Sequence, residues 1–268
     1  MPPVPWRILE EGKDGGAVNM ATDRAILQAC SQGQAPPTLR LYGWAQPTLS
    51  LGYSQNAAMQ VDAARCRDLH IPIVRRPTGG RAVLHDMELT YCVVAPIDHP
   101  GFSGSLRQTF HKISHALMNG LDRLGVCGAS VERQSRRGAR DKAIKSPACF
   151  ATCHSFETAV GSGKLIGSAQ RRLKNAFLQH GSVLIDMNRE QLNSLLRFEN
   201  PAASRSHLQM LTRATVTLNE ICGRTVPFEE VRTAFRDGFA KHFAEGSVKG
   251  ELTVFERELR RQFLDAAD

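Results

Sequence analysis

The chain has 268 residues, enough for one large domain or for one large and one small domain. Hydrophobic residues make up 42% of it and charged residues 22%, which is ordinary for a globular protein. No apolar run approaches the roughly 18 residues of a membrane-spanning helix, and the first residues do not resemble a secretory signal. We therefore expect a cytoplasmic protein with no membrane partner.

The seven cysteines are odd in number and scattered without a paired pattern, which indicates free thiols in a reducing compartment. Cys149 and Cys153, followed by His154, are candidate metal ligands. No second Cys/His cluster completes a tetrahedral ligand set, so no metal is predicted.

The net charge of +8 predicts an acidic partner. Much of the positive charge is concentrated in one short segment, at Arg133, Arg136, Arg137, Arg140, Lys142 and Lys145. Nucleic acid is one candidate for such a partner. The segment itself is interpreted either as a solvated loop or as a docking site for an acidic protein.

The first part of the chain predicts alternating helices and strands. An amphipathic helix begins near Asn19 and ends before Gly33. Short strands are predicted at 39–44 and 47–53, and a helix at 61–69.

The rest of the chain predicts a long helix, a strand meander and then helices. The helix spans 105–124, where apolar residues recur at a spacing of three or four, and the basic segment 132–147 is predicted as a loop. The predicted strands are 157–160, 164–171 and 176–186, and the predicted helices are 188–198, 217–222 and 227–244. The pattern predicts an α+β fold with a mixed, largely antiparallel sheet flanked by helices and a small helical C-terminal part.

The most informative segment, residues 75–91, reads RRPTGGRAVLHDMELTY. Two adjacent glycines follow two arginines, between the apolar run 71–74 and the strand-like run 89–94. Such a loop brings backbone N–H groups close to a small ligand, and arginine donors suit an anionic or carbonyl-rich group. The glycine spacing fits neither a dinucleotide fingerprint nor a Walker loop.

A second informative segment spans residues 163–170. In it, Lys164 lies at a predicted hairpin turn and is followed by Leu165 and Ile166. If partly buried, this lysine is able to orient a carboxylate or a thioester carbonyl, or to lower the pKa of a nearby thiol. The alternative is an ordinary solvent-exposed lysine in a hairpin.

Taken together, the segments 75–86, 163–170 and 179–182 resemble successive motifs of the lipoate–protein ligase and octanoyltransferase family. Residues 19–21 and 44–55 resemble its N-terminal signatures. The family shares its catalytic fold with biotin protein ligase. The resemblance implies a catalytic domain at 15–248 and a helical C-terminal tail at 249–268.

Two reaction types occur on this scaffold. The ligases use ATP, with Mg, to form an acyl-adenylate, whereas the cysteine-dependent octanoyltransferases hold the acyl group on a cysteine and need no cofactor. Cys149 matches the position of that catalytic cysteine, although Cys153 competes for the role and either thiol is otherwise an ordinary small apolar residue. Arg81 stands where ATP-using ligases usually carry a third glycine, and Gln170 where they more often show another residue; both differences favour the transferase.

The resemblance also implies roles for single residues. Cys149 is the expected nucleophile and Lys164 the group that activates it. The expected substrate-binding residues are Arg75, Arg76, Thr78, Gly79, Gly80, His85, Gly167, Ser168, Ala169, Gln170, His180 and Gly181. His85 and His180 are equally well interpreted as packed, hydrogen-bonded histidines.

The implied donor is an acyl carrier protein, and the implied acceptors are apo lipoyl domains or the glycine cleavage H protein. Because these partners are typically acidic, we expect them to bind at the basic segment. No nucleic-acid partner is expected. The alternatives are an ATP-dependent lipoate ligase and a non-catalytic binding module. Biotin ligation is disfavoured, since the Gly-Arg-Gly-Arg loop is absent.

Overall fold

The computed structural model describes residues 5–102, 104–131, 148, 158–242 and 246–266. The predicted basic segment, Cys149 and Cys153 lie outside these residues. The strands in chain order are β1 Trp6–Asp14, β2 Thr38–Trp44, β3 Thr48–Leu51, β4 Ile73–Arg75, β5 Val83–His85, β6 Glu88–Pro96, β7 Ala129–Val131, β8 Thr158–Val160, β9 Gly163–Arg172, β10 Ala176–Leu184 and β11 Ser247–Lys249.

The strands form one large sheet and one small sheet within the described residues. The large sheet has the order β11-β1-β2-β6-β10-β9-β8-β7. Its β11/β1 and β1/β2 pairs are parallel, and the remaining neighbours are antiparallel. The small sheet has the order β4-β3-β5. The predicted mixed, largely antiparallel sheet is therefore confirmed.

Helices cover both faces of the large sheet. They are α1 Gly16–Ser31, α2 Ala57–Gln60, α3 Ala63–Asp68, α4 Leu106–Arg123, α5 Arg189–Ser194, α6 Pro201–Ala214, α7 Leu218–Cys222, α8 Phe228–His242 and α9 Val254–Asp265. None of the helices in the described part of the chain is both long and apolar enough to cross a membrane.

The central strand β6 shows how the layers are built. Its side chains alternate between two apolar clusters, as the period of a strand requires. Tyr91 and Val93 belong to the cluster that includes residues of α4 and α8, whereas Cys92 and Val94 belong to the cluster that includes residues of α1. The sheet therefore separates an α4/α8 layer from an α1 layer, and α9 packs on α1.

Some elements depart from the sequence-based predictions. Six elements were not predicted, namely β1, β5, β7, β11, α2 and α6, and the helix predicted at 188–198 is the shorter α5. The glycine loop lies between β4 and β5 of the small sheet, rather than leading directly into β6. The start of α6 does carry a sequence signal, the pair Asn200-Pro201. In the structure the side chain of Asn200 accepts a hydrogen bond from the Ala203 N–H, and Pro201 occupies the first turn.

The C-terminal residues are tied to the start of the chain. β11 pairs with β1, and Arg7 on β1 forms a buried ion pair with Glu256 on α9, with an Nη2–Oε1 distance of 2.5 Å. Glu256 also accepts a hydrogen bond from the backbone N–H of Thr253 at the N-cap of α9. The predicted domain boundary at 248 falls within β11, and the division into domain and tail stays a prediction.

The ion pair predicts that Glu256→Ala strongly destabilises the protein. Removal of one partner leaves the buried Arg7 charge uncompensated, so we expect the free energy of unfolding to fall by about 3–5 kcal/mol in urea denaturation. Glu258→Ala on the same helix is the matched control: its ion pair with Arg261 is exposed, so its loss should cost less than about 1 kcal/mol. Equal effects of the two changes would contradict the role of the buried pair.

Candidate active site

A cavity opens where the middle of β9 and β10 meets the small sheet and α1. Its empty volume is about 410 Å³, counting its open mouth. Its described lining residues are Met20, Tyr42, Trp44, Arg76, Val83, His85, Thr90, Gly167, Ser168, Ala169, His180, Gly181 and Ser182.

The glycine loop is held around the side chain of Arg76. This guanidinium is buried and donates hydrogen bonds to the carbonyl oxygens of Gly79 and Arg81, and to the backbone and side-chain oxygens of Ser50. Gly80 has a φ of +101°, and a Cβ on Gly52 would lie 2.1 Å from the Gly80 carbonyl oxygen. Both positions therefore require glycine, and Arg76 fixes the loop against the small sheet.

His180 connects this loop to a buried carboxylate. Its Nδ1 lies 2.9 Å from Asp23 Oδ2, and its Nε2 lies 2.7 Å from the Thr78 hydroxyl. A carboxylate accepts, so Nδ1 carries the proton and Nε2 accepts from Thr78. Asp23 also receives hydrogen bonds from Arg40, at 2.7 Å, and from the Tyr42 hydroxyl, at 2.9 Å.

The charges around Asp23 determine its titration. Burial raises the pKa of this carboxyl group, but the hydrogen bond from His180 and the charge of Arg40 outweigh burial, and the net shift is downward. For His180, burial lowers the pKa and is only partly opposed by Asp23. We therefore assign an ionised Asp23 and a neutral His180.

His85 forms a second chain of the same kind. Its Nδ1 lies 2.8 Å from Glu88 Oε1, and its Nε2 lies 2.7 Å from the Ser50 hydroxyl. The hydroxyls of Thr90 and Ser182 donate to the same carboxylate oxygen. Burial raises the pKa of Glu88, but the charge and hydrogen bond of His85 reverse the shift, so this carboxyl group is ionised as well.

Trp44 completes the wall beside His85. Its ring stacks on the imidazole with centroids 4.0 Å apart and an interplanar angle of 9°, and its indole N–H donates to the Thr90 hydroxyl. The stacked ring presents an apolar surface to the cavity while its single polar group is satisfied.

The floor of the cavity depends on a glycine. A Cβ on Gly181 would lie 2.4 Å from the Gly167 carbonyl oxygen and 2.8 Å from the Ser168 hydroxyl. That hydroxyl hydrogen-bonds to the Tyr91 hydroxyl at 2.7 Å, to which Gln179 also donates. The absence of a side chain at 181 therefore lets β9 and β10 keep a close approach at the cavity.

Lys164, the predicted activating group, lies at the start of β9 with no exposed surface. The alternative of a solvent-exposed hairpin lysine is therefore wrong for this position. Ala148, which precedes Cys149 in the sequence, is buried and forms an isolated parallel β-bridge with Ala82 at the end of the glycine loop. Cys149 itself lies outside the described residues.

The cavity brings together many of the predicted substrate-binding residues: Arg76, His85, Gly167, Ser168, Ala169, His180 and Gly181. Thr78, Gly79 and Gly80 instead shape the loop. Arg75 donates to the carbonyl oxygens of Gly52, Tyr53 and Gln55, and Gln170 donates to Gln179. The sequence prediction missed the lining residues Met20, Tyr42, Trp44, Val83, Thr90 and Ser182, and also the supporting carboxylates Asp23 and Glu88.

Some of the missed residues had a sequence signal. Met20 and Trp44 lie within the N-terminal signatures, and Glu88 follows His85 by three positions. Asp23 shares a helix face with Met20 and Leu27, three positions before it and four after it, where a charged residue needs a buried partner. One of its partners, His180, however, lies 157 positions away on β10.

The neutral His180 predicts a pH dependence of stability. The pKa of His180 lies below 6.5 in the native state. As the pH falls through about 6.5, the imidazole of the unfolded chain therefore takes up a proton that the native imidazole does not. Proton binding favours the unfolded state, so the free energy of unfolding falls. His180→Gln should reduce the loss of stability between about pH 7 and about pH 5, measured by urea denaturation. Asp23 does not contribute in this window, because its pKa is shifted below 3.8.

The control for this measurement is His70→Asn, which replaces an exposed histidine at a φ of +52° by a residue that tolerates this conformation. It should leave the loss of stability as in the unmodified chain. An equal loss in His180→Gln and the unmodified chain would contradict the assignment of a neutral His180.

Comparison with solved structures agrees with this architecture. A bipartite lipoate protein ligase of Thermoplasma acidophilum, solved in a study with its E2 lipoyl domain, matches 98% of this chain and 92% of its own length, with a TM-score of 0.77 and 23% identity. A lipoate-protein ligase A bound with ATP matches 99% of this chain and 95% of its own, with a TM-score of 0.76 and 24% identity. At this identity the likeness shows the fold.

Comparison of sequences goes further. Proteins named octanoyltransferase LipM are 41% identical over 97% of this chain in Kyrpidia tusciae and 38% identical over 97% in Carboxydothermus hydrogenoformans, covering 94% of each relative. The family model of the lipoyl protein ligase A/B catalytic domain matches residues 16–240. The chain therefore belongs to the lipoyl protein ligase A/B catalytic domain family.

Proposed function

We propose that this protein is an octanoyltransferase of lipoate biosynthesis, which moves an octanoyl group from an acyl carrier protein to a lysine of a lipoyl-domain or glycine cleavage H protein. The observation that carries the proposal is the similarity to octanoyltransferases over nearly the whole length of both chains.

The cavity suits a saturated acyl chain. Met20, Trp44 and Val83 supply apolar wall, and Gly167 and Ala169 leave room beside it. The polar groups around it hydrogen-bond to one another, so an apolar chain that enters leaves few donors without a partner. Burial of the octanoyl tail at about 0.8 kcal/mol per methylene contributes on the order of 5 kcal/mol to binding.

The proposed chemistry proceeds through a cysteine thioester. The Cys149 thiolate attacks the carbonyl carbon of the octanoyl thioester, the carbon–sulfur bond to the carrier breaks, and the carrier thiol leaves with a proton. The ε-amine of the acceptor lysine then attacks the new thioester, which forms an amide and releases Cys149. The first step exchanges one thioester for another, and the second converts a thioester into a more stable amide, so no ATP is needed.

Lys164 is the group that we assign to activate Cys149. An ammonium group with no access to bulk solvent is stable only beside an anion or oriented dipoles. A thiolate is such a partner, and the ammonium in turn lowers the pKa of the thiol. Two observations support this assignment. Lys164 is fully buried, and the bridge between Ala148 and Ala82 brings the residue before Cys149 to the glycine loop.

Mass spectrometry of the intact protein tests the mechanism. After mixing with octanoyl-acyl carrier protein, the unmodified chain should gain the mass of one octanoyl group, and Cys149→Ala should not. Cys127→Ala, which removes an exposed cysteine, is the matched control and should still be acylated. An unacylated wild-type chain would overturn the thioester, and amide formation by Cys149→Ala from octanoate and ATP would support a ligase instead.

The apolar cavity also predicts a dependence on chain length. A hexanoyl donor lacks two methylenes, about 1.6 kcal/mol of burial, so kcat/KM should fall by about fifteenfold relative to octanoyl. The two donors are compared on the same carrier with the same acceptor lysine. Equal kcat/KM values would show that the cavity does not hold the end of the chain.

A further inference from the structure

A second, wider cavity lies beside the first. Its empty volume is about 880 Å³, counting its open mouth, and it lies between α1, the end of β9, α9 and the segment 75–77. Arg24, Arg75 and Arg171 line it together with the aromatic rings of Tyr53 and Phe263. We call this cavity the arginine groove.

The three arginines of the groove carry uncompensated charge. None of them forms an ion pair with a carboxylate among the described residues, in contrast to Arg7 and Arg40 in the protein interior. Three positive charges on one concave surface create a local potential that favours an anion.

These arginines are nevertheless held in place. Arg24 lies over the Phe263 ring at 4.1 Å from its centroid, and Arg171 over the Tyr53 ring at 4.9 Å. Arg171 also donates to the Pro77 carbonyl oxygen, and Arg75 uses Nη1 on three backbone carbonyls. Positioned guanidinium groups lose less conformational entropy when they bind a ligand than mobile side chains do.

The groove adjoins the proposed acyl site. Arg76 lines both cavities, so only the segment that contains it separates them. A ligand that spans both would place an apolar chain on one side of this segment and an anionic group on the other.

We propose that the arginine groove binds the phosphate ester of the pantetheine arm that carries the octanoyl thioester. A phosphate group offers several oxygens in a tetrahedral arrangement and accepts from several guanidinium groups at once, whereas a carboxylate offers two oxygens in a plane. The inference rests on the proposed function, because the arm reaches the groove only when its acyl end occupies the first cavity.

Two small donors that differ in one phosphate test the site. Octanoyl-pantetheine and octanoyl-phosphopantetheine carry the same thioester, and their kcat/KM values are compared for the unmodified chain with one acceptor lysine. We expect the phosphorylated donor to be favoured at least tenfold, and the ratio to fall as the salt concentration rises. Turnover of both donors at equal rates, or of neither while octanoyl-acyl carrier protein is used, overturns the groove but leaves the transferase intact. Failure of all three donors overturns the proposed function.

A substitution then assigns the preference to the groove. Arg24→Gln, on the exposed side of α1, should lower the ratio of kcat/KM between the two donors by about tenfold, and Arg171→Gln should act in the same direction. Arg205→Gln removes an exposed arginine on α6 and should keep the ratio of the unmodified chain. A ratio that Arg24→Gln and Arg171→Gln both leave unchanged contradicts the proposal.

The source of the phosphate is distinguished with larger donors. Octanoyl-acyl carrier protein carries the phosphate as a diester and octanoyl-coenzyme A carries it as part of a diphosphate, so the Arg24→Gln variant should lose kcat/KM with both donors. A loss with the carrier protein but none with free octanoyl-phosphopantetheine would mean that the groove contacts acidic side chains of the carrier, which overturns the phosphate assignment.

Discussion

The buried carboxylate of Asp23 is the interaction on which the site depends. It accepts from Arg40 and Tyr42 on β2 and from His180 on β10, and His180 in turn accepts from Thr78 in the glycine loop. A buried charge is tolerated only when its partners surround it. The need to satisfy one carboxylate therefore fixes α1, two strands of the large sheet and the loop relative to one another.

A second buried carboxylate repeats this arrangement on the other side of the cavity, through Glu88, His85 and Ser50. In both chains a buried carboxylate and a hydroxyl group of the loop or small sheet lie at hydrogen-bond distance from the two ring nitrogens of one imidazole. These polar groups therefore satisfy one another's hydrogen-bonding needs within the protein. What remains for a ligand is mostly apolar wall, although the described lining contains two histidines and two serines.

The two adjacent arginines that open the loop have different tasks. Arg76 is buried and bonds to the carbonyl groups of its own loop, whereas Arg75 is exposed and lines the arginine groove. Arg76 therefore fixes its own loop from within, whereas Arg75 binds the backbone carbonyls of the segment 52–55 and places its charge at the surface. This division lets one short segment separate an apolar cavity from a cationic one, as expected for a donor with an acyl end and an anionic arm.

The sequence by itself determined the family, the mixed antiparallel sheet, the glycine loop and the strands that carry Lys164 and His180, because these depend on local periodicity and on motifs contiguous in the chain. It did not reveal β1, which is completed by pairing with β2 and β11, or the carboxylate partners of the histidines. Only the tertiary structure decided those: Thr78 and His180 are 102 positions apart, and His180 and Asp23 are 157. Hydrogen bonds over such separations depend on how strands align in the sheet, and local sequence patterns carry no record of that alignment.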